Sequence, residues 1–157
     1  MASQARKIPG PFHAVTPALV VRDAVGAIAF YKQAFGATEL MPPLLDPSGK
    51  IAHAEILIGD SPLMLSDENR DWGSLSPQTV GGTPVVLAFY VEDADAVVRR
   101  AAAAGAKVLM SVKDQFYGDR SGRIEDPYGH IWLVGTHVED VSPAEVQRRW
   151  DQIRKQM

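Results

Sequence analysis

The chain has 157 residues, a net charge of -3, 46% hydrophobic and 22% charged residues, and no cysteine. These values fit one compact globular domain whose core needs no covalent staple. They exclude disulfides, thiolate metal sites and cysteine nucleophiles, and no basic stripe is present to attract nucleic acid.

Met1 to Gly10 carries basic residues but no apolar core of a signal sequence, and no apolar run approaches the roughly 18 residues of a membrane span. The expectation is a cytoplasmic protein with no membrane partner, whose residues 1–13 form a flexible arm. Ala14 to Val21 is apolar and β-branched and reads as the first strand. Asp23 is placed to cap a helix in which Ala24, Ile28, Tyr31 and Phe35 share one face, and Gly36 suits its left-handed end. Thr38 to Met41 is a short strand stopped by Pro42 and Pro43. Asp46-Pro47-Ser48-Gly49 is a turn, Lys50 to Ile58 a third strand, and Pro62 to Ser66 a fourth.

Asp67 to Gly82 is polar, contains Gly and Pro, and separates two halves. Val85 to Val91 is the fifth strand, and Asp93 caps a second helix with Val97, Val98, Ala101 and Ala104 on its packing face. Lys107 to Met110 and Arg120 to Glu125 are strands six and seven. Asp126-Pro127-Tyr128-Gly129 is a hairpin turn, and Ile131 to His137 is strand eight. Ser142-Pro143-Ala144-Glu145 forms a capping box for a last helix. The two halves repeat one plan. Thr16-Pro17 leads to Val21-Arg22-Asp23 as Thr83-Pro84 leads to Val91-Glu92-Asp93, and Gly36-Ala37 and Gly105-Ala106 close the two helices. Self-similarity of this kind predicts two βαβββ modules, residues 14–67 and 83–138, in an α+β domain spanning 14–141 with a C-terminal helix over 142–157.

Three ordered sets of residues carry a resemblance. They are Val20-Val21-Arg22-Asp23 with Phe30-Tyr31 and Ala34-Phe35-Gly36; His53-Ala54-Glu55 with Ile58-Gly59-Asp60 and Leu63-Met64-Leu65-Ser66-Asp67; and Gln115 to Gly122 running into Asp126-Pro127-Tyr128-Gly129-His130. With them the chain resembles the vicinal oxygen chelate superfamily of glyoxalases, bleomycin-resistance proteins and extradiol dioxygenases, and its PhnB-like, glyoxalase-like branch most. The resemblance implies an eight-stranded mixed sheet curled into a cup, with a small organic ligand on the concave side. It also implies metal ligands on the first and last strands of each module. Those positions fall at Thr16, Met64, Val86 and Leu133, or one inward step on at Ala18, Ser66, Ala88 and Gly135. None is a competent His, Gln or Glu ligand, so no metal and no cofactor is expected.

Alternation on the third strand puts Ala52, Ala54, Ile56 and Ile58 under the helix and turns His53 and Glu55 to the other face. Such a pair can move protons, or can be a structural ion pair. Tyr90, Met64 and Leu133 are expected to line the cup, and Trp72 to lid it or cover a core edge. In the loop before strand seven, Tyr117 and Arg120 are candidates to reach the ligand, Arg120 as a carboxylate or phosphate clamp. The alternative for Arg120 is a surface pair with Asp119 or Glu125. Two functions follow as expectations. One is a metal-independent small-molecule-binding protein. The other is a lyase or isomerase using His53 and Glu55, or a non-standard metal site. Apolar strand edges and the Val146, Trp150 and Ile153 stripe of the last helix lead to the expectation of a homodimer.

Overall fold

A computed structural model describes residues 5–157. The expected arm therefore lies partly outside the described residues; from residue 5 to 13 the chain carries no helix or strand. The chain divides into two compact units. One extends to Thr83 and takes in Pro127–Gly129, and the other comprises Pro84–Asp126 with His130–Met157.

The first unit contains β1 (Ala18–Val21), α1 (Ala24–Phe35), β2 (Thr38–Glu39), β3 (Leu44–Leu45), β4 (Ile51–Ile58), β5 (Ser61–Asp67) and a short α2 (Pro77–Val80). Its sheet runs β1-β5-β4-β2, with β3 also paired to β4. β1 and β5 are parallel, and β4 and β5 form an antiparallel hairpin. α1 covers one face. Ala54, Ile56 and Ile58 of β4 are buried with Leu63 and Leu65 of β5 and with Ile28, Phe30, Tyr31 and Phe35 of the helix. Phe30 meets Tyr31 and Phe35 edge-on at 5.5 and 5.7 Å. Burying each such ring contributes roughly 1.5–3 kcal/mol. Asp23 accepts a hydrogen bond from the Gly26 amide at 2.9 Å, and Gly36 at φ 69° ends the helix. Both caps are therefore where the sequence predicts them.

The second unit repeats the plan with β6 (Val86–Tyr90), α3 (Ala94–Ala103), β7 (Lys107–Asp114), β8 (Asp119–Glu125) and β9 (Ile131–His137), followed by α4 (Pro143–Arg154). Its order, β6-β9-β8-β7, matches the first sheet position for position, including the parallel β6–β9 pair. Asp93 caps α3 through the Ala96 amide at 2.9 Å. The α+β class and the paired βαβββ modules thus stand, each module carrying its own hydrogen-bonded sheet.

Besides the extra short strand β3, which makes nine strands among the described residues where eight are expected, three details differ from the sequence reading. β7 runs on to Asp114 instead of stopping at Met110, because register shifts after Val108 and Met110 break its alternation. Gly122 faces that irregular strand closely enough that an added Cβ would lie 2.8 Å from Val112. The inter-module segment also holds α2, its Ser76 cap accepting from the Thr79 amide. Third, β1 opens at Ala18, four residues later than expected.

Asp67, at the end of β5, ties the first unit together. Its Oδ1 accepts from the Ala24 amide at the start of α1 at 2.8 Å, and its Oδ2 from the Ile51 amide at the start of β4 at 2.7 Å. Thr136 takes the matching place in the second unit, accepting from the Ala94 amide and donating to the Val91 carbonyl, both at 2.9 Å. Substituting Asp67→Ala leaves two amides of buried residues without their acceptor. The expected loss is about 2–4 kcal/mol, read by urea denaturation. A loss below about 0.5 kcal/mol would mean that the carboxylate only decorates the strand end.

Candidate functional site

Strand alternation sorts the side chains of each sheet into a helix-covered face and a face turned away from the helix. In the first unit the second face carries His53 and Glu55 of β4. Their side chains are 35% and 19% exposed, and His53 Nε2 lies 3.0 Å from Glu55 Oε1. Glu55 pairs across the ladder with Met64, and Met64 with Ala18. Met64 and the neighbouring Ser66 are half-buried. From His53 to Ile58 the phase expected for β4 is the one observed, whereas at its start Ile51 is buried and Ala52 half-buried. Trp72 stands apart from this row. It sits in a 3-10 turn capped by Asn69, is 71% exposed, and borders a cavity of about 330 Å3 with Asp46, Lys50 and Glu68.

In the second unit the matching face carries Val86, Ala88 and Tyr90 on β6, Asp119, Ser121 and Arg123 on β8, and Leu133, Gly135 and His137 on β9. A chain of hydrogen bonds crosses it. The Tyr90 hydroxyl donates to Asp119 Oδ2 at 2.7 Å, and His137 Nδ1 meets Asp119 Oδ1 at 2.8 Å. His137 Nε2 meets Asp140 at 2.8 Å. This constellation joins residues 29 and 18 positions apart in sequence. Composition offered no signal for it, although the shared face of β6, β8 and β9 was readable from alternation once the pairing order was known.

Arg120 goes the other way. One residue from Asp119, it turns toward α3, where Asp95 accepts at 2.7 and 3.0 Å and Asp114 at 3.0 Å. Neither Asp119 nor Glu125 is its partner. The bidentate carboxylate expected of a ligand is supplied by the protein itself. The aromatic loop residues are also engaged: Phe116 meets Tyr117 edge-on at 5.2 Å and lies over Trp150 of α4 at 5.6 Å. Arg149 of α4 binds Glu139, Glu145 and the Phe116 carbonyl. The structure thus brings together His53, Glu55 and Met64, and separately Tyr90 and Leu133; it does not bring Arg120 to Tyr90.

Of the positions that the superfamily plan implies, Ala18, Met64, Ser66, Val86, Ala88, Leu133 and Gly135 fall on these faces, whereas Thr16 precedes β1. The ladder sets Ala18 against Met64, Val20 against Ser66, Ala88 against Leu133 and Tyr90 against Gly135. None of the implied positions carries a His, Gln or Glu side chain, and such a set does not fit a borderline divalent ion.

Asp119 first, and Asp140 second, raise the His137 pKa above its ordinary value. A histidine with a raised folded pKa adds stability that is complete below about pH 6.5 and is lost as pH rises through the folded value. The carboxylates held low, such as Glu68 and Glu145 at about 2, act in a separate acid window. The melting temperature should therefore fall as pH rises above about 6.5 and through the raised folded value, and His137→Gln should flatten that slope. Parallel curves for the two proteins would show that His137 carries no linkage.

The Glyoxalase/Bleomycin resistance protein/Dioxygenase superfamily model matches residues 12–134. An uncharacterized protein of Mycobacterium tuberculosis is 42% identical over 137 residues, covering 85% of this chain and 80% of that protein. Among solved structures, the PhnB protein of Bacillus cereus has a TM-score of 0.61 at 19% identity, covering 79% of this chain and 99% of that one. The fosfomycin resistance protein FosX of Mesorhizobium loti has a TM-score of 0.59 at 18% identity, covering 85% and 95%. Identities this low show a shared fold alone. The paired modules and a family match that runs from before β1 into β9 give one conclusion: the chain belongs to the glyoxalase/bleomycin resistance protein/dioxygenase superfamily.

Proposed function

We propose that the protein binds a small organic ligand on the sheet faces turned away from α1 and α3, without a metal at the superfamily position. The observation that supports this reading is the chemistry of the implied positions, Thr16, Met64, Val86 and Leu133 or Ala18, Ser66, Ala88 and Gly135, none of which is a His, Gln or Glu. What those faces offer instead is apolar surface with a few fixed polar groups, the usual makeup of an organic-ligand site. Met64 with His53 and Glu55, and Leu133 with Tyr90, are the proposed contacts. Trp72 and Tyr117 are proposed at the margins. Arg120, already paired with Asp95 and Asp114, is the weakest member of the set.

The His53–Glu55 contact favours a second reading, a lyase or isomerase in which that pair moves a proton. An assay on the hemithioacetal of methylglyoxal and glutathione separates the two. Binding without turnover supports the first reading. Turnover that falls by about 100-fold or more in His53→Gln, with an altered pH profile, establishes the second.

A cytoplasmic setting suits a chain with no cysteine. No helix among the described residues is long and apolar enough to cross a membrane. A homodimer is proposed from exposed apolar strand residues: Leu44, Leu45 and Val86 are open to solvent in the single chain. Light scattering at micromolar concentration should give twice the 17.1 kDa chain mass. A value at one chain mass counts against the dimer.

A further inference from the structure

One polar atom in the second unit has no partner. Ser121 Oγ is buried, its residue 1% exposed, and no hydrogen-bond partner for it exists among the described residues. Its position explains the burial. Ser121 pairs with Gly135 across β8 and β9, and Gly135 pairs with Tyr90 across β9 and β6. The Tyr90 ring lies over the glycine: a Cβ added at Gly135 would stand 3.6 Å from Tyr90 Cε1 and 3.7 Å from Ser121 Cβ. The ring is 68% exposed on its outer side, so little packing holds it. What holds it is the 2.7 Å bond from its hydroxyl to Asp119. A cavity of about 30 Å3 remains, bounded by Ala88, Tyr90, Asp119, Ser121, Leu133 and Gly135. That is room for one water-sized group.

Resting on the ligand-binding reading above, we infer that Ser121, Asp119 and Gly135 form a head-group socket for a ligand bearing a hydroxyl or amino donor, with Tyr90 as its side-chain gate. Rotation of Tyr90 off the glycine breaks its bond to Asp119. That frees a carboxylate oxygen beside the serine hydroxyl. The two together accept a ligand O–H or N–H. Ala88 and Leu133 take the adjoining apolar body. A carboxylate head is disfavoured, because it would face Asp119 at close range. The inference explains why the buried hydroxyl is left without a partner in the closed arrangement: its partner arrives with the ligand.

The test uses the full chain, 15N-labelled, titrated with benzylamine, benzyl alcohol and benzoate. Benzylamine and benzyl alcohol should shift the Ser121 and Gly135 amides, and benzoate should not. Ser121→Ala should weaken binding about fivefold, the cost of one neutral hydrogen bond. Without probe it should melt no lower than wild type, since it removes an unpaired buried hydroxyl. Gly135 has no positive φ and its Cβ meets only ordinary contacts, so Gly135→Ala should fold normally and block the socket. Tyr90→Phe, freed of its tether, should bind benzylamine more tightly. Unchanged affinity in both Ser121→Ala and Gly135→Ala would overturn the socket. So would benzoate binding as well as benzylamine. Shifts confined to His53, Glu55 and Met64 would overturn the socket while leaving the ligand-binding reading standing. No shift on either face, for any probe, would count against both.

Discussion

A β-strand offers its side chains in only two directions, and in each module a helix already occupies one of them. A polar side chain on the covered side must find its partner in the helix, and one on the other side faces away from it. This constraint decides the roles of neighbouring residues more firmly than their chemistry does. Asp119 and Arg120 are adjacent and oppositely charged, yet one joins Tyr90 and His137 and the other joins Asp95 of α3. His53 is kept off the helix by the same rule that buries Ala54. The helix positions are in turn fixed by groups at the strand ends. Asp67 holds the first turn of α1 against β4, and Thr136 holds the first turn of α3 against β6.

The two modules use this frame differently. At matched positions the first places His53 and Glu55 where the second places Ser121 and Arg123, as the pairing with Met64 and Leu133 shows. One face presents a histidine–carboxylate contact beside a flexible thioether. The other presents a tyrosine lying over a glycine, with a buried hydroxyl beneath.

Much of the fold was legible in the sequence. The paired Asp caps, the Gly36 terminator and the alternation of His53 to Ile58 each report a local backbone requirement, and each is where it was expected. The site was legible only where one strand carried it. His53 and Glu55 are two residues apart, so period two sufficed. The Tyr90–Asp119–His137 chain needs the order of β6, β9 and β8, which no local pattern encodes. Arg120 stays open in the sequence between a ligand clamp and a pair with Asp119 or Glu125, because the segment before β8 gives no phase. Its partner Asp95 lies on a helix 25 residues away. β7 was read short because bulges erase the alternation on which the reading relied.

The central claim is that these faces hold an organic ligand without a metal. Anomalous X-ray diffraction from crystals of the protein, grown after soaking with zinc, nickel and manganese in turn, tests it most directly. The account predicts no anomalous peak within coordination distance, about 2–2.5 Å, of any side chain on the face of Ala18, Met64, His53 and Glu55 or the face of Ala88, Leu133, Tyr90 and Asp119. A fully occupied ion bound by His53 and Glu55 would contradict it.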